Sequence, residues 1–209
     1  MFIAFDGIDG SGKTTLSQKV FQYFVSENNN PEIFDMGNFG FIDDYLKAIK
    51  NKKHHVDPKI RELLFYFEGN LFSDYIRENR DRIIITDRYF LSYYAYGPIN
   101  GICQEEVWNL VHRMISPDFY FFIDVCPEVA LERIMKYRKI DIPEIGYKNS
   151  LSQNEEENQK LFLKTQQEVY SNYKMAISKF DLKVCIINGE RKIDQIFDEI
   201  ISVICKCNY

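Results

Sequence analysis

A three-layer α/β fold, with a parallel sheet between two layers of helices, is what three observations predict. Five short apolar runs rich in β-branched and aromatic residues alternate with segments of helical spacing. Each run is followed by helix, the arrangement of a parallel sheet covered on both faces. Between the first run and the first helix stands Gly7-Ile8-Asp9-Gly10-Ser11-Gly12-Lys13-Thr14, which matches the phosphate-loop pattern G-x-x-x-x-G-K-[ST] in the strand, loop, helix context that the pattern requires.

The elements follow in order. Met1 to Phe5 reads as a buried strand, and Leu16, Val20, Phe21, Phe24 and Val25 give the first helix an inward stripe. Asn28 to Pro31 is a turn, and Glu32 to Met36 a second strand that leaves through Gly37-Asn38-Phe39-Gly40. Phe41, Ile42, Tyr45, Leu46 and Ile49 have helical spacing, and Lys50 to His55 is a polar connection. Pro58 suits a first helical turn, opening a helix to about Arg77 whose aromatics (Phe65, Tyr66, Phe67, Phe72, Tyr75) fit a core face. Arg82 to Thr86 is the third strand, ending in Asp87-Arg88-Tyr89. Helix is expected over 89–96, broken at Gly97-Pro98, and again over 104–115. Phe119 to Ile123 is the fourth strand, closed by Asp124, and Pro127 opens the next helix. The periodicity then fails between Tyr137 and Gln153, a long irregular stretch of the kind that forms lids. A long helix is expected over 155–180, a fifth strand over 183–187, and a last helix carrying Ile193 to Ile204.

The 209 residues fit a single domain over 1–209, with a lid at about 137–153. A net charge of −5 gives no general attraction for nucleic acid polymers or anionic lipid, and no apolar run approaches membrane-spanning length. Met1 opens directly into the first strand without a basic or cleavable leader, so a cytoplasmic location is expected. The five cysteines lack C-x-x-C spacing and are expected to be reduced and structural.

In such sheets ligands sit beyond the strand C-termini, where Gly7, Asp35, Asp87 and Asp124 gather. The loop residues Gly7, Ile8, Asp9, Gly10, Ser11, Gly12, Lys13, Thr14 and Thr15 are the candidate ATP cradle. Lys13 would reach the β- and γ-phosphates, and the Thr14 hydroxyl with the carboxylate of Asp87 would hold Mg²⁺. Asp124 competes for the Asp87 role, with a helix-capping or structural role expected instead. Arg88, just past a strand end, suits a two-pronged grip on an acceptor phosphate or a structural ion pair. Arg133, Lys136, Arg138 and Lys139 are either lid cations or a solvated helix end. No histidine looks like a general base. A nucleoside monophosphate acceptor needs none, because its phosphate loses a second proton near pKa ~6. An alcohol acceptor would want one, with Asp35 the candidate.

Phe5 to Thr15 together with Asp87-Arg88-Tyr89 resembles the signature of the thymidylate kinase family, and Ser92-Tyr93-Tyr94-Ala95-Tyr96 resembles its S-x-x-A-[YF] continuation. Pro117 to Ile134 and Phe162 to Tyr173 are similar to later parts of the same family, so the likeness covers nearly the whole chain. The resemblance implies a P-loop fold with strand order 2-3-1-4-5, ATP as donor, dTMP as acceptor, and a homodimer. It implies Lys13, Arg88, Asp9 and Arg138 (or Lys139) as catalytic residues, and Asp9, Phe65, Arg88, Ser92 and Tyr96 as the acceptor site. A deoxynucleoside kinase and a transfer-deficient nucleotide-binding regulator are the alternatives. With Phe65 in the place of the base-stacking phenylalanine, Gly69 stands where an arginine should read the base, and the alternative registers on Phe67 or Phe72 have no arginine at that offset either. The chain also departs from the family pattern at Gly97, where many members have glutamine, and at Asp35-Met36-Gly37-Asn38, which replaces an R-E-P-G-type loop.

Overall fold

The structure, a computed structural model, describes residues 1–36, 39, 56–179 and 183–206. Its strands are β1 (Phe2–Asp6), β2 (Glu32–Asp35), β3 (Ile84–Asp87), β4 (Phe119–Asp124) and β5 (Val184–Asn188). They form one sheet in the order β2-β3-β1-β4-β5 with every pairing parallel. The described helices are α1 (Lys13–Ser26), α2 (Pro58–Glu78), α3 (Phe90–Tyr96), α4 (Gln104–Val111), α5 (Pro127–Tyr137), α6 (Ile142–Ile145), α7 (Glu155–Lys179) and α8 (Ile193–Lys206). The helix expected over 41–49, the connection with His54 and His55, and residues 37 and 38 lie outside the described residues.

β1 and β3 are buried along their whole length and β4 except at its two ends, as a sheet covered on both faces requires: Ile3, Ala4, Phe5, Phe121, Phe122 and Ile123 are inaccessible to solvent. Of the α2 aromatics, Phe65, Tyr66 and Phe72 are core, as their spacing predicts, and Tyr75 is partly buried, whereas Phe67, expected on the same face, is exposed. Phe72 stacks on Phe39 at 4.1 Å and packs edge-on against Phe2 and Tyr89. α7 lies along α3 and buries Phe162, Val169 and Tyr173.

Two elements differ from expectation. The helix predicted to Ile115 stops at Val111, and Met114 and Ile115 enter the core from a turn. The irregular stretch contains the single-turn helix α6, closed by a capping box between Asp141 and Glu144 with Pro143 in its first turn. Four residues are too few to show a period.

The register aligns the functional ends. Phe5 pairs with Asp87, Asp35 with Asp87, and Asp6 with Phe122, so the carboxyl ends of β2, β3 and β1 open onto one crevice.

Candidate active site

The segment after β1 wraps backward through glycines with positive φ at 7, 10 and 12. Gly12 (φ 95°) has open space where a Cβ would go, so its requirement is conformational, whereas a Cβ at Gly10 would lie 2.6 Å from the Ala130 carbonyl of α5. Lys13 begins α1 and is buried; its Nζ donates to the Ile8 carbonyl (3.3 Å) and lies 3.9 Å from Asp9. A cavity of about 540 Å³ lies over this loop. Gly10 to Leu16 form one wall, Arg133 and Tyr137 of α5 with Arg138 just past its end another, and Gly189 and Arg191 of the β5–α8 turn the far end. The sequence reading missed that far wall, because Gly189 to Arg191 carry no motif of their own.

Arg88 faces the loop from the end of β3. Its φ of +71° is a left-handed conformation that costs a non-glycine residue energy and is held only where the surroundings over-determine it. The surroundings do so. Nη1 donates to the Gly7 carbonyl (3.2 Å), Ser92 Oγ (3.2 Å) and Tyr173 Oη (3.1 Å), while Nη2 donates to Tyr96 Oη (3.3 Å) and forms an ion pair with Asp9. Burial opposes the Arg88 charge, yet Tyr96 and Asp9 hold its pKa well above the ordinary value. Asp9 shows the reciprocal effect: burial works to raise its pKa, but the Arg88 and Lys13 charges keep it below the usual carboxylate range. Tyr96 Oη (2.8 Å) and Gln166 Nε2 (3.3 Å) donate to its second oxygen.

Behind Arg88 sits Asp6, inaccessible to solvent, accepting from the hydroxyls of Ser92, Tyr120 and Tyr173 and from the Tyr89 N–H. Burial raises its pKa despite those bonds. Asp6, Gln166 and Tyr173 were all missed from sequence. A carboxylate ending an apolar strand was the available signal for Asp6, whereas Tyr173 reads as a core position on a helix.

The Thr14 hydroxyl donates to Asp87 Oδ2, and Asp87 Oδ1 is buried without a hydrogen-bond partner. An orphaned carboxylate oxygen beside a threonine hydroxyl fits Mg²⁺, which takes one or two protein oxygens and fills its shell with water and phosphate. Among the described residues no cluster of three or more His, Cys, Asp or Glu side chains forms a cage of its own.

A sequence model of the thymidylate kinase family matches residues 5–200. The chain belongs to the thymidylate kinase family. A probable thymidylate kinase of Sulfolobus acidocaldarius is 28% identical, covering 97% of this chain and 95% of that protein. One from Methanocaldococcus jannaschii is 31% identical over 64% of this chain and 69% of its own length. The thymidylate kinase of Thermosipho africanus is 29% identical over 99% and 98%.

As a member of the thymidylate kinase family, the chain places its remaining candidates unevenly. Ser92 is fully buried behind Arg88, so it positions the guanidinium. Phe65 is nearly buried on α2, its carbonyl held by Tyr93 Oη at 2.9 Å. Arg138 is paired with Glu144 of α6 and lines the loop cavity. Arg133 bridges the carbonyls of Ser11 (3.2 Å) and Gly189 (2.8 Å), bracing the cradle. Asp124 accepts from Tyr170 Oη (2.9 Å) and pairs with Lys174, the structural role expected of it. Asp35 ends β2 as an exposed residue.

The two glycines that depart from the thymidylate kinase pattern have a packing reason. A Cβ at Gly69 would collide with the Tyr93 hydroxyl, and one at Gly97 with the Tyr66 hydroxyl. Those hydroxyls are anchored, Tyr93 on the Phe65 carbonyl and Tyr66 on the Tyr93 carbonyl at 3.1 Å. Each glycine is the hole that admits a tyrosine.

Proposed function

We infer that the chain transfers the γ-phosphoryl of ATP to dTMP, giving ADP and dTDP, through the residues assembled around Arg88. The observation that carries this reading is the Arg88 guanidinium, strained in its backbone, held by Asp9 and aimed at Gly7 of the loop that cradles ATP. Phosphoryl transfer asks the protein for position and charge neutralisation more than covalent chemistry. Lys13 supplies a point charge at the β- and γ-phosphates, and Arg88 grips the acceptor phosphate with its fork. Asp9 orients Arg88 and, as the family resemblance implies, would hold the acceptor sugar's 3′-hydroxyl, with Tyr96 beside it. Phe65 contributes to the acceptor wall, and Arg138, freed from Glu144 when the lid over 137–153 meets phosphate, contributes a further cation. When bound, Mg²⁺ on Thr14 and Asp87 neutralises phosphate charge. The acceptor phosphate is already an anionic nucleophile at neutral pH, so no general base is needed. His112 lies stacked near Trp108 on α4 and has no part in this reading.

No described helix is long and apolar enough to cross a membrane. A cytoplasmic kinase of one domain, acting on small nucleotides and not on nucleic acid, suits the acidic composition and the unpaired Cys103, Cys126, Cys185 and Cys205. The homodimer implied by family resemblance would have apolar surface available on α2, where Ile60 and Phe67 are exposed. An alcohol acceptor with Asp35 as base, or a protein that binds without transferring, draws no support from the family match.

The test is acceptor-dependent ADP release from the purified chain with ATP and Mg²⁺. dTMP should drive it and thymidine should not. ADP release with thymidine but no monophosphate would replace this reading by a deoxynucleoside kinase.

A further inference from the structure

A polar cluster beside Arg88 has no part in the transfer described above. Glu62, on α2, is 4% exposed, and its carboxylate accepts from Asn100 Nδ2 at 2.6 Å. Asn100 is fixed in the turn after α3, its N–H donating to the carbonyls of Tyr96 (3.1 Å) and Gly97 (3.0 Å). That turn ties it to the same Tyr96 whose hydroxyl touches Asp9. Its Oδ1 is buried without a partner, as is the Nε of Arg61. The Arg61 guanidinium lies 3.8 Å over the ring of Tyr147, which follows Gly146 in the lid segment, where that segment meets Ile99. Thus α2 brings Glu62 and Arg61, the turn after α3 brings Asn100 and the lid brings Tyr147 to a single corner.

Buried polar groups are normally satisfied, and a buried carboxyl with one amide partner is costly to keep. Burial pushes Glu62 up to about 7, against the opposing influence of Asn100, Arg61 and Arg88. The Arg88 contribution also means that this corner lies within electrostatic reach of the group that grips the acceptor phosphate. On the proposed reading the ATP cradle takes the Gly7 side of Arg88, which leaves this side for the acceptor's base. Gly69 offers it no side chain, and Tyr93 fills the space above that glycine.

We propose that Glu62, Asn100 and Arg61 read the acceptor's base and select a pyrimidine imide edge. Glu62 and Asn100 Oδ1 accept from the ring N–H, and Arg61 donates to the neighbouring carbonyl. The inference rests on the monophosphate-kinase reading and names the residues that give that site its base preference. Thymine and uracil present carbonyl, N–H and carbonyl along this edge, whereas cytosine replaces the N–H by a bare nitrogen and one carbonyl by an amine. A site built on buried acceptors rejects the base that lacks the donor, because its own groups are then left unpaired.

The experiment compares kcat/KM for dTMP, dUMP and dCMP by ADP release in the full chain and its Glu62→Gln and Arg61→Met variants. The unaltered chain should prefer dTMP and dUMP over dCMP by at least ~100-fold. Glu62→Gln, which can turn a donor toward the bare cytosine nitrogen, should narrow the dTMP to dCMP ratio at least ~10-fold with the KM for ATP unchanged. dUMP should move in step with dTMP. A ratio within about twofold of the unaltered chain, all acceptors losing alike, overturns the proposal and leaves Glu62 as a tie between α2 and the 97–101 turn. If Glu62→Gln does not fold, Arg61→Met applies the same test at a partly exposed side chain: dTMP and dUMP should weaken more than dCMP, and equal losses overturn the proposal. Absence of dTMP-dependent ADP release in the unaltered chain is a different result, one that defeats the kinase reading itself.

Discussion

Arg88 donates to five oxygen atoms, whereas Gly69 on α2 offers no side chain and gives its space to the Tyr93 hydroxyl. The first region is a network of compensated charges: Asp9 answers Arg88 and Lys13, and Asp6 anchors the hydroxyls that hold the guanidinium. The second is set by shape, with two glycines accommodating two tyrosines and one buried carboxyl left with a single amide partner. On the proposed function, the contrast teaches that the phosphate end is specified by charge and the base end by packing. Changes at the first should therefore strike turnover, and changes at the second should strike stability or acceptor choice.

The largest effect should come from Lys13→Met, which removes the buried point charge from the cradle. Turnover with ATP and dTMP should fall at least ~100- to 1,000-fold in the ADP-release assay while thermal unfolding changes little. A loss confined to stability would break the distinction between the two regions. At the base end, Gly69→Ala should destabilise the protein by about 1–3 kcal/mol through collision with the Tyr93 hydroxyl, despite the gain in helix propensity. Combining it with Tyr93→Phe should recover most of that loss in a denaturation cycle. Additive losses would show that the glycine and the tyrosine are not a pair.

A smaller effect concerns pH. Glu62 is raised from 4.5 to about 7, so between those values the folded chain holds a proton that the unfolded chain releases, and stability falls as pH rises through the window. Asp6, also raised, acts in the same direction from 3.8 upward, whereas the lowered Asp9 acts oppositely, losing its contribution as pH drops. Glu62→Gln should flatten the fall in melting temperature between about pH 4.5 and 7. An unchanged slope would mean that Glu62 is not held protonated by its surroundings. Smallest of all, Asp124→Asn removes a partly exposed pair with Lys174 and should cost under about 1 kcal/mol in urea unfolding. A large loss of turnover there would return Asp124 to the metal site.

The phosphate end was legible because its parts are contiguous: a glycine loop bounded by an apolar run and a helix, and a triplet closing the third strand. Parallel pairing and strand order then bring them together without further information. The groups that aim Arg88 were not legible. Tyr173 and Tyr120 sit at apolar-patterned positions, where a hydroxyl is invisible to periodicity, and Gln166 lies on α7, far from the loop in sequence. The departure at Gly69 could be noticed from sequence, yet its cause could not, because Tyr93 reaches it from another helix. Arg138 read as a lid cation, and only the fold of α6 supplies the Glu144 that holds it.

The central claim is that Arg88 serves the acceptor and the glycine loop serves ATP. Separate KM values for the two substrates in Arg88→Lys, which keeps the charge and loses the fork, test it most directly. The account predicts a KM for dTMP raised at least ~10-fold with that for ATP within about twofold. Equal losses for both substrates would contradict it.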